Sequence, residues 1–85
     1  MRELHLRNNR LVRLPANIGR LLNLRILDLR NNELSELPET FGNLSNLAYL
    51  DLRANRLATL PGFLTELPKL EKLDLRWNKL RSVPP

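Results

Sequence analysis

Three aspartate–arginine pairs are the first residues here that could do chemistry. Asp28 precedes Arg30, Asp51 precedes Arg53 and Asp74 precedes Arg76, each by two positions. Carboxylates can act as general acids or bases, and guanidinium groups can grip carboxylates or phosphates through paired hydrogen bonds. His5 stands two positions ahead of Arg7, where the later pairs have aspartate. The pairs recur every 23 residues, which marks them as architecture or as a recognition surface and not as a catalytic dyad. His5 is the only histidine in a chain with no cysteine, which argues against a metal site. No nucleophile sits with a base, and no glycine-rich phosphate loop or zinc spacing occurs. Neither catalysis nor a cofactor is expected.

Bulk properties narrow the field further. The 85 residues allow one domain over positions 1–85. A domain of this size buries only a modest share of its surface, so regular stacking must contribute much of its stability. Hydrophobic residues reach 42% while aromatics stop at 5%, so the core must be aliphatic. No apolar run approaches the roughly 18 residues that span a bilayer. Residues 1–10 are charged and broken by asparagine, so they hold no signal-peptide core, and a cytoplasmic location is the expectation. The formal charge of +5 favours acidic partners at long range.

The elements that position the pairs come from one motif written four times. Asn9, Asn32, Asn55 and Asn78 are spaced by 23 residues, and so are Pro15, Pro38, Pro61 and Pro84. Leu4, Leu27, Leu50 and Leu73 keep that spacing, as do Leu6, Leu29, Leu52 and Leu75. The repeats are 1–23, 24–46 and 47–69, with a partial fourth over 70–85. In Leu27-Asp28-Leu29-Arg30 apolar and polar residues alternate, the pattern of a half-buried strand. The asparagine that follows lies between core leucines and must turn inward, where a buried amide needs backbone partners. An asparagine ladder through Asn9, Asn32, Asn55 and Asn78 is therefore expected. Pro38 lacks an amide donor and suits the start of a helical turn. Phe41, Leu44 and Leu47 then recur at intervals of three, fitting a short helical or 3₁₀ segment on the back. Phe41 belongs to the core, and Phe63, one place before Leu64, should be partly exposed.

These motifs resemble the leucine-rich repeats, whose frame is LxxLxLxxNxL. The stretch Leu14-Pro15-Ala16-Asn17-Ile18-Gly19-Arg20-Leu21 is similar to the 23-residue intracellular subclass, which includes the Ras-suppressor, Erbin and Scribble types and many bacterial repeat proteins. The resemblance covers essentially the whole chain. It implies an α/β solenoid: a short right-handed horseshoe with parallel strands on the concave side and short helical segments on the convex side. No coil can bury its apolar face alone, so neighbours must stack, with strands about 4.8 Å apart.

Alternation along the strands selects the residues that can touch a ligand. The concave columns are His5, Asp28, Asp51 and Asp74, then Arg7, Arg30, Arg53 and Arg76. Beside them lie Glu3, Ile26, Tyr49 and Lys72, then Asn8, Asn31, Ala54 and Trp77, then Arg10, Glu33, Arg56 and Lys79. Two readings of the charged columns stay open. Aspartates and arginines can satisfy one another as an exposed lattice, worth about 0–1 kcal/mol per pair. Alternatively the arginines stand ready for a partner's carboxylates. Tyr49 and Trp77 are candidate anchors of an interface, although Trp77 could simply pack on the stem of Arg76 or Lys79.

The expected function is protein binding on this face, through His5, Arg7, Asp28, Arg30, Tyr49, Asp51, Arg53, Lys72, Asp74, Arg76 and Trp77. A second expectation is self-assembly. The outer leucines of the first and last coils lack a neighbour, so copies could stack end to end as a homo-oligomer. A fragment or engineered chain cut at repeat boundaries would look the same. Nucleic acid is disfavoured, because aspartate alternates with arginine where a phosphate would lie. No membrane partner is expected.

Overall fold

The computed structural model describes residues 2–59 and 61–80. Pro84 of the proline column and Val83 of the last coil lie outside the described residues. Among these residues four strands form one parallel sheet in chain order: β1 (Glu3–His5), β2 (Ile26–Asp28), β3 (Tyr49–Asp51) and β4 (Lys72–Asp74). Leu4 pairs with Leu27, Leu27 with Leu50 and Leu50 with Leu73, so each coil is laid on the last without slippage. The strands are shorter than the alternating pattern, yet the interstrand bonds run on. Asn31 N–H donates to Arg30's counterpart in the next coil, the Arg53 carbonyl, and Ala54 N–H to the Arg76 carbonyl. This is the expected repeat solenoid.

Leu24, Leu27, Leu29, Leu34, Phe41 and Leu44 in the second coil are wholly buried, and Leu47, Leu52 and Leu57 repeat them in the third. Leu4, Leu6 and Leu11, and likewise Leu73, Leu75 and Leu80, are only partly buried against this core. Among the described residues the convex side carries three 3₁₀ turns, Ala16–Arg20, Glu39–Asn43 and Gly62–Glu66, each entered through an extended proline. These turns are shorter than the Phe41–Leu47 spacing suggested, for Leu44 already caps the second by donating to the Phe41 carbonyl. Phe63 is half-buried, its ring 6.3 Å from that of Phe41.

The first two turns approach closely. A Cβ on Gly19 would lie 2.5 Å from the Thr40 carbonyl oxygen, so no larger residue fits without a shift. Thr40 Oγ1 donates to the Ala16 carbonyl at 2.7 Å across the same contact. Gly42 is different, since a Cβ there would meet Phe63 at an ordinary 3.5 Å.

The backbone kinks where each strand segment ends. Asn8, Asn31, Ala54 and Trp77, one residue per coil, all have left-handed backbones, with φ of 61°, 56°, 56° and 63°. This kink swings the chain out of the strand so that the next residue, the repeat asparagine, can point inward. The left-handed region costs an ordinary residue about 1–2 kcal/mol, and asparagine tolerates it best after glycine. Asn8 and Asn31 therefore suit the position, and Asn31 Nδ2 also donates to Asn8 Oδ1 at 2.8 Å. Ala54 and Trp77 do not suit it.

Candidate functional site

The inward asparagines fasten each coil to the one before. Asn32 Oδ1 accepts from the amides of Asn9 and Leu11 at 3.1 and 3.0 Å, while Nδ2 donates to the carbonyls of Leu6 and Leu29. Asn55 accepts from Leu34 N–H and donates to Leu29 and Leu52. Asn78 does the same with Leu57, Leu52 and Leu75. Asn32 and Asn55 are buried and Asn78 is half-buried. Asn9 departs from the expected ladder: it is exposed, and its amide donates only within its own coil, to Leu6 and Arg7 carbonyls.

On the concave face the charged columns interlock. Arg30 bonds Asp28 of its own coil through both Nε and Nη2 at 3.0 Å, and its Nε also lies 3.4 Å from Asp51 of the next. Arg53 repeats this, at 2.6 Å to Asp51 and 3.5 Å to Asp74. Arg7 reaches Asp28 at 3.8 Å, and Arg76 grips Asp74 at 2.7 Å. His5 fills its aspartate-column place by contacting Glu3 at 3.2 Å and Asp28 at 3.7 Å.

Asp28 is consequently not solvent-facing. The side chains of His5, Arg7 and Arg30 close over it and leave it 7% exposed. Burial works to raise its pKa, but the hydrogen bonds from Arg30 and the charges of Arg30 and Arg7 outweigh that and hold it below the usual carboxylate range. Hydrogen bonding to Arg76 lowers Asp74 further, from 3.8 to about 2. Hydrogen bonding to Asp51 and to Asp74 raises the guanidinium pKa of Arg53 and of Arg76, respectively. Arg30 and Arg53 thus each already turn Nε and Nη2 to aspartates of the chain itself.

The Asp74 shift gives a pH signature. A carboxyl whose pKa is depressed by folding stabilises the fold above its unfolded pKa, and that contribution is lost as pH falls through the folded one. The stability difference between the parent chain and Asp74→Asn, read from urea midpoints, should hold constant above about pH 5. It should shrink as pH falls toward 2. A difference unchanged down to pH 2 would show that Arg76 does not hold Asp74 ionised.

What the lattice leaves outward is aromatic and cationic. Tyr49 is 40% exposed and Trp77 70%. The Arg76 guanidinium carbon lies 5.5 Å from the Trp77 ring centre, so the indole rests on Arg76 and still presents most of its surface to solvent. Lys72 lies at the start of β4, beside a shallow depression between Tyr49, Asp51, Arg53 and Asp74. Among the described residues no group of histidines and carboxylates is arranged to hold a metal, and no helix is long and apolar enough to cross a membrane.

A family model described as a leucine-rich repeat region matches residues 1–85. Among solved structures, the chain is similar to the leucine-rich repeat protein LIC12759 of Leptospira interrogans, at 40% sequence identity and a TM-score of 0.89. That match covers 100% of this chain and 21% of the other, so this chain spans about a fifth of that protein's length. No curated protein matches the sequence.

Proposed function

The chain belongs to the leucine-rich repeat family, and from that premise we propose that it is a non-catalytic module holding a protein partner on its concave strand face. The family serves protein interaction in general, and its fold is typically non-enzymatic. The observation that carries the reading is the exposure of Tyr49 and Trp77 beside a charge lattice that is already satisfied. Large, rigid aromatics of this kind supply contact energy at small entropic cost. Among the described residues, the other large exposed hydrophobics, Val12 and Leu22, stand outside the repeat columns that carry Tyr49 and Trp77.

The lattice divides the labour. Arg30 and Arg53 set a firm, neutral floor, while Tyr49, Lys72, Arg76 and Trp77 meet the partner. A nucleic-acid backbone fits this floor poorly, since each phosphate would have to displace an aspartate from its arginine.

Panning a displayed peptide library against the whole chain tests the reading. Selected binders should lose binding to a Tyr49→Ala/Trp77→Ala variant whose circular-dichroism spectrum is unchanged. They should keep it with Arg20→Ala/Asn43→Ala/Glu66→Ala, on the convex side. The opposite pattern would move the site to the convex surface.

A further inference from the structure

Trp77 breaks the local rule of its own repeat. The position demands φ near 60°, which Asn8 and Asn31 accept readily, whereas a tryptophan there is strained. Strained residues persist where the surroundings over-determine them, and they gather at functional sites. Burial does not explain this residue, since the indole is 70% exposed.

The surroundings hold the ring ready for a ligand. Asp74 grips Arg76 at 2.7 Å, and Arg76 lies 5.5 Å from the ring centre, so the side chain is braced from one side. Bracing before binding reduces the entropy lost on association. Charge is uneven along the face. In the first two coils, acidic residues offset the arginines. In the last two, Lys72 and Lys79 add to the basic side, and neither has a carboxylate within ion-pair distance among the described residues.

We propose that Trp77, braced by Arg76 and flanked by Lys79, is the anchor point for an acidic segment of a partner protein, which lays an apolar side chain on the indole and sets its carboxylates against Lys72 and Lys79. The proposal rests on the concave face being the binding face and adds the chemistry of the partner. Carboxylates are favoured because the local excess is cationic, and an apolar side chain because the indole is the most exposed large hydrophobic side chain among the described residues.

Trp77 is the chain's sole tryptophan, so its fluorescence reports on the site directly. The probe is a tryptophan-free peptide alternating glutamate and leucine, with a glutamine-for-glutamate control. The acidic peptide should give a saturable blue shift that weakens with added salt, and the control should bind at least tenfold more weakly. Equal responses from both peptides, or none from either, would overturn the proposal.

Two variants separate binding from folding, followed with a labelled version of the acidic peptide. Trp77→Asn should raise the melting midpoint by about 4 °C, as strain relief in a domain of this size predicts, and abolish peptide binding. Ala54→Asn should raise it similarly and leave binding intact. A lowered midpoint for Trp77→Asn would make Trp77 a packing residue and overturn the argument. Display-selected partners that need Tyr49 but ignore Trp77→Asn and carry no acidic bias would defeat this inference while leaving the concave face as the site. Partners lost only on convex changes would defeat both.

Discussion

Phe41→Ala should lower the stability of the chain by about 3–5 kcal/mol, the usual range for deleting a buried aromatic ring. Phe41 is fully buried and stands in the column that Ile18 and Leu64 fill in adjacent coils. Among the described residues it is the largest wholly buried side chain, so its removal opens the biggest void that one substitution there can make. The convex turns on either side are held by their own packing, with Gly19 pressed against Thr40, and cannot readily collapse into the gap. Natural domains have about 0.05–0.15 kcal/mol of stability per residue, or roughly 4–13 kcal/mol for a chain of this size, so the loss would take a large share of it. Phe63→Ala, at a half-buried site touching the same ring, should cost clearly less. Urea unfolding of the two variants decides the matter. Equal losses would mean that Phe41 does not hold the core together.

Much of the fold can be read from the sequence because the repeat is so regular. A 23-residue shift that places leucine over leucine leaves one register for the strands, and β1 to β4 pair in that register. The proline column likewise predicts where the convex turns begin. What the pattern conceals depends on three-dimensional approach. Gly19 and Gly42 occupy one column, yet only Gly19 is forced, because only there does the neighbouring backbone come within a Cβ's reach. Asp28 belongs to an outward column, yet His5, Arg7 and Arg30 fold over it, and no spacing rule encodes how far long side chains reach. The left-handed kinks had a faint signal in the doubled asparagines Asn8-Asn9 and Asn31-Asn32. Ala54 and Trp77 erase that signal in the other two coils. The candidate site is legible in outline, as a face bearing Tyr49 and Trp77. The spacing left open whether its arginines bond aspartates or wait for a partner, and the distances show them bonded to aspartates.

Asn55→Ala should be the most damaging change of a polar residue. The side chain is buried, and truncation strands several groups at once. Leu34 N–H loses its acceptor, and the Leu29 and Leu52 carbonyls lose a donor. A buried polar group left without a partner costs about 1–3 kcal/mol, and water cannot easily enter between packed coils to replace the amide. Asn55 bonds both the coil it belongs to and the one before it, so its loss weakens a junction in the middle of the stack. Stability in such arrays is largely the sum of each coil and its junctions. Asn9→Ala provides the internal control: Asn9 is exposed and its amide bonds only carbonyls of its own coil, so that change should cost well under half as much. The expected order of loss is Asn55 and Asn32 first, then Asn78, then Asn9, following the burial of the side chain and of its bonds to the preceding coil. Chemical denaturation of the four alanine variants at one temperature measures that order. If Asn9→Ala proved as costly as Asn55→Ala, the asparagines would be acting within their own turns, and coil-to-coil fastening would have to come from the leucines alone.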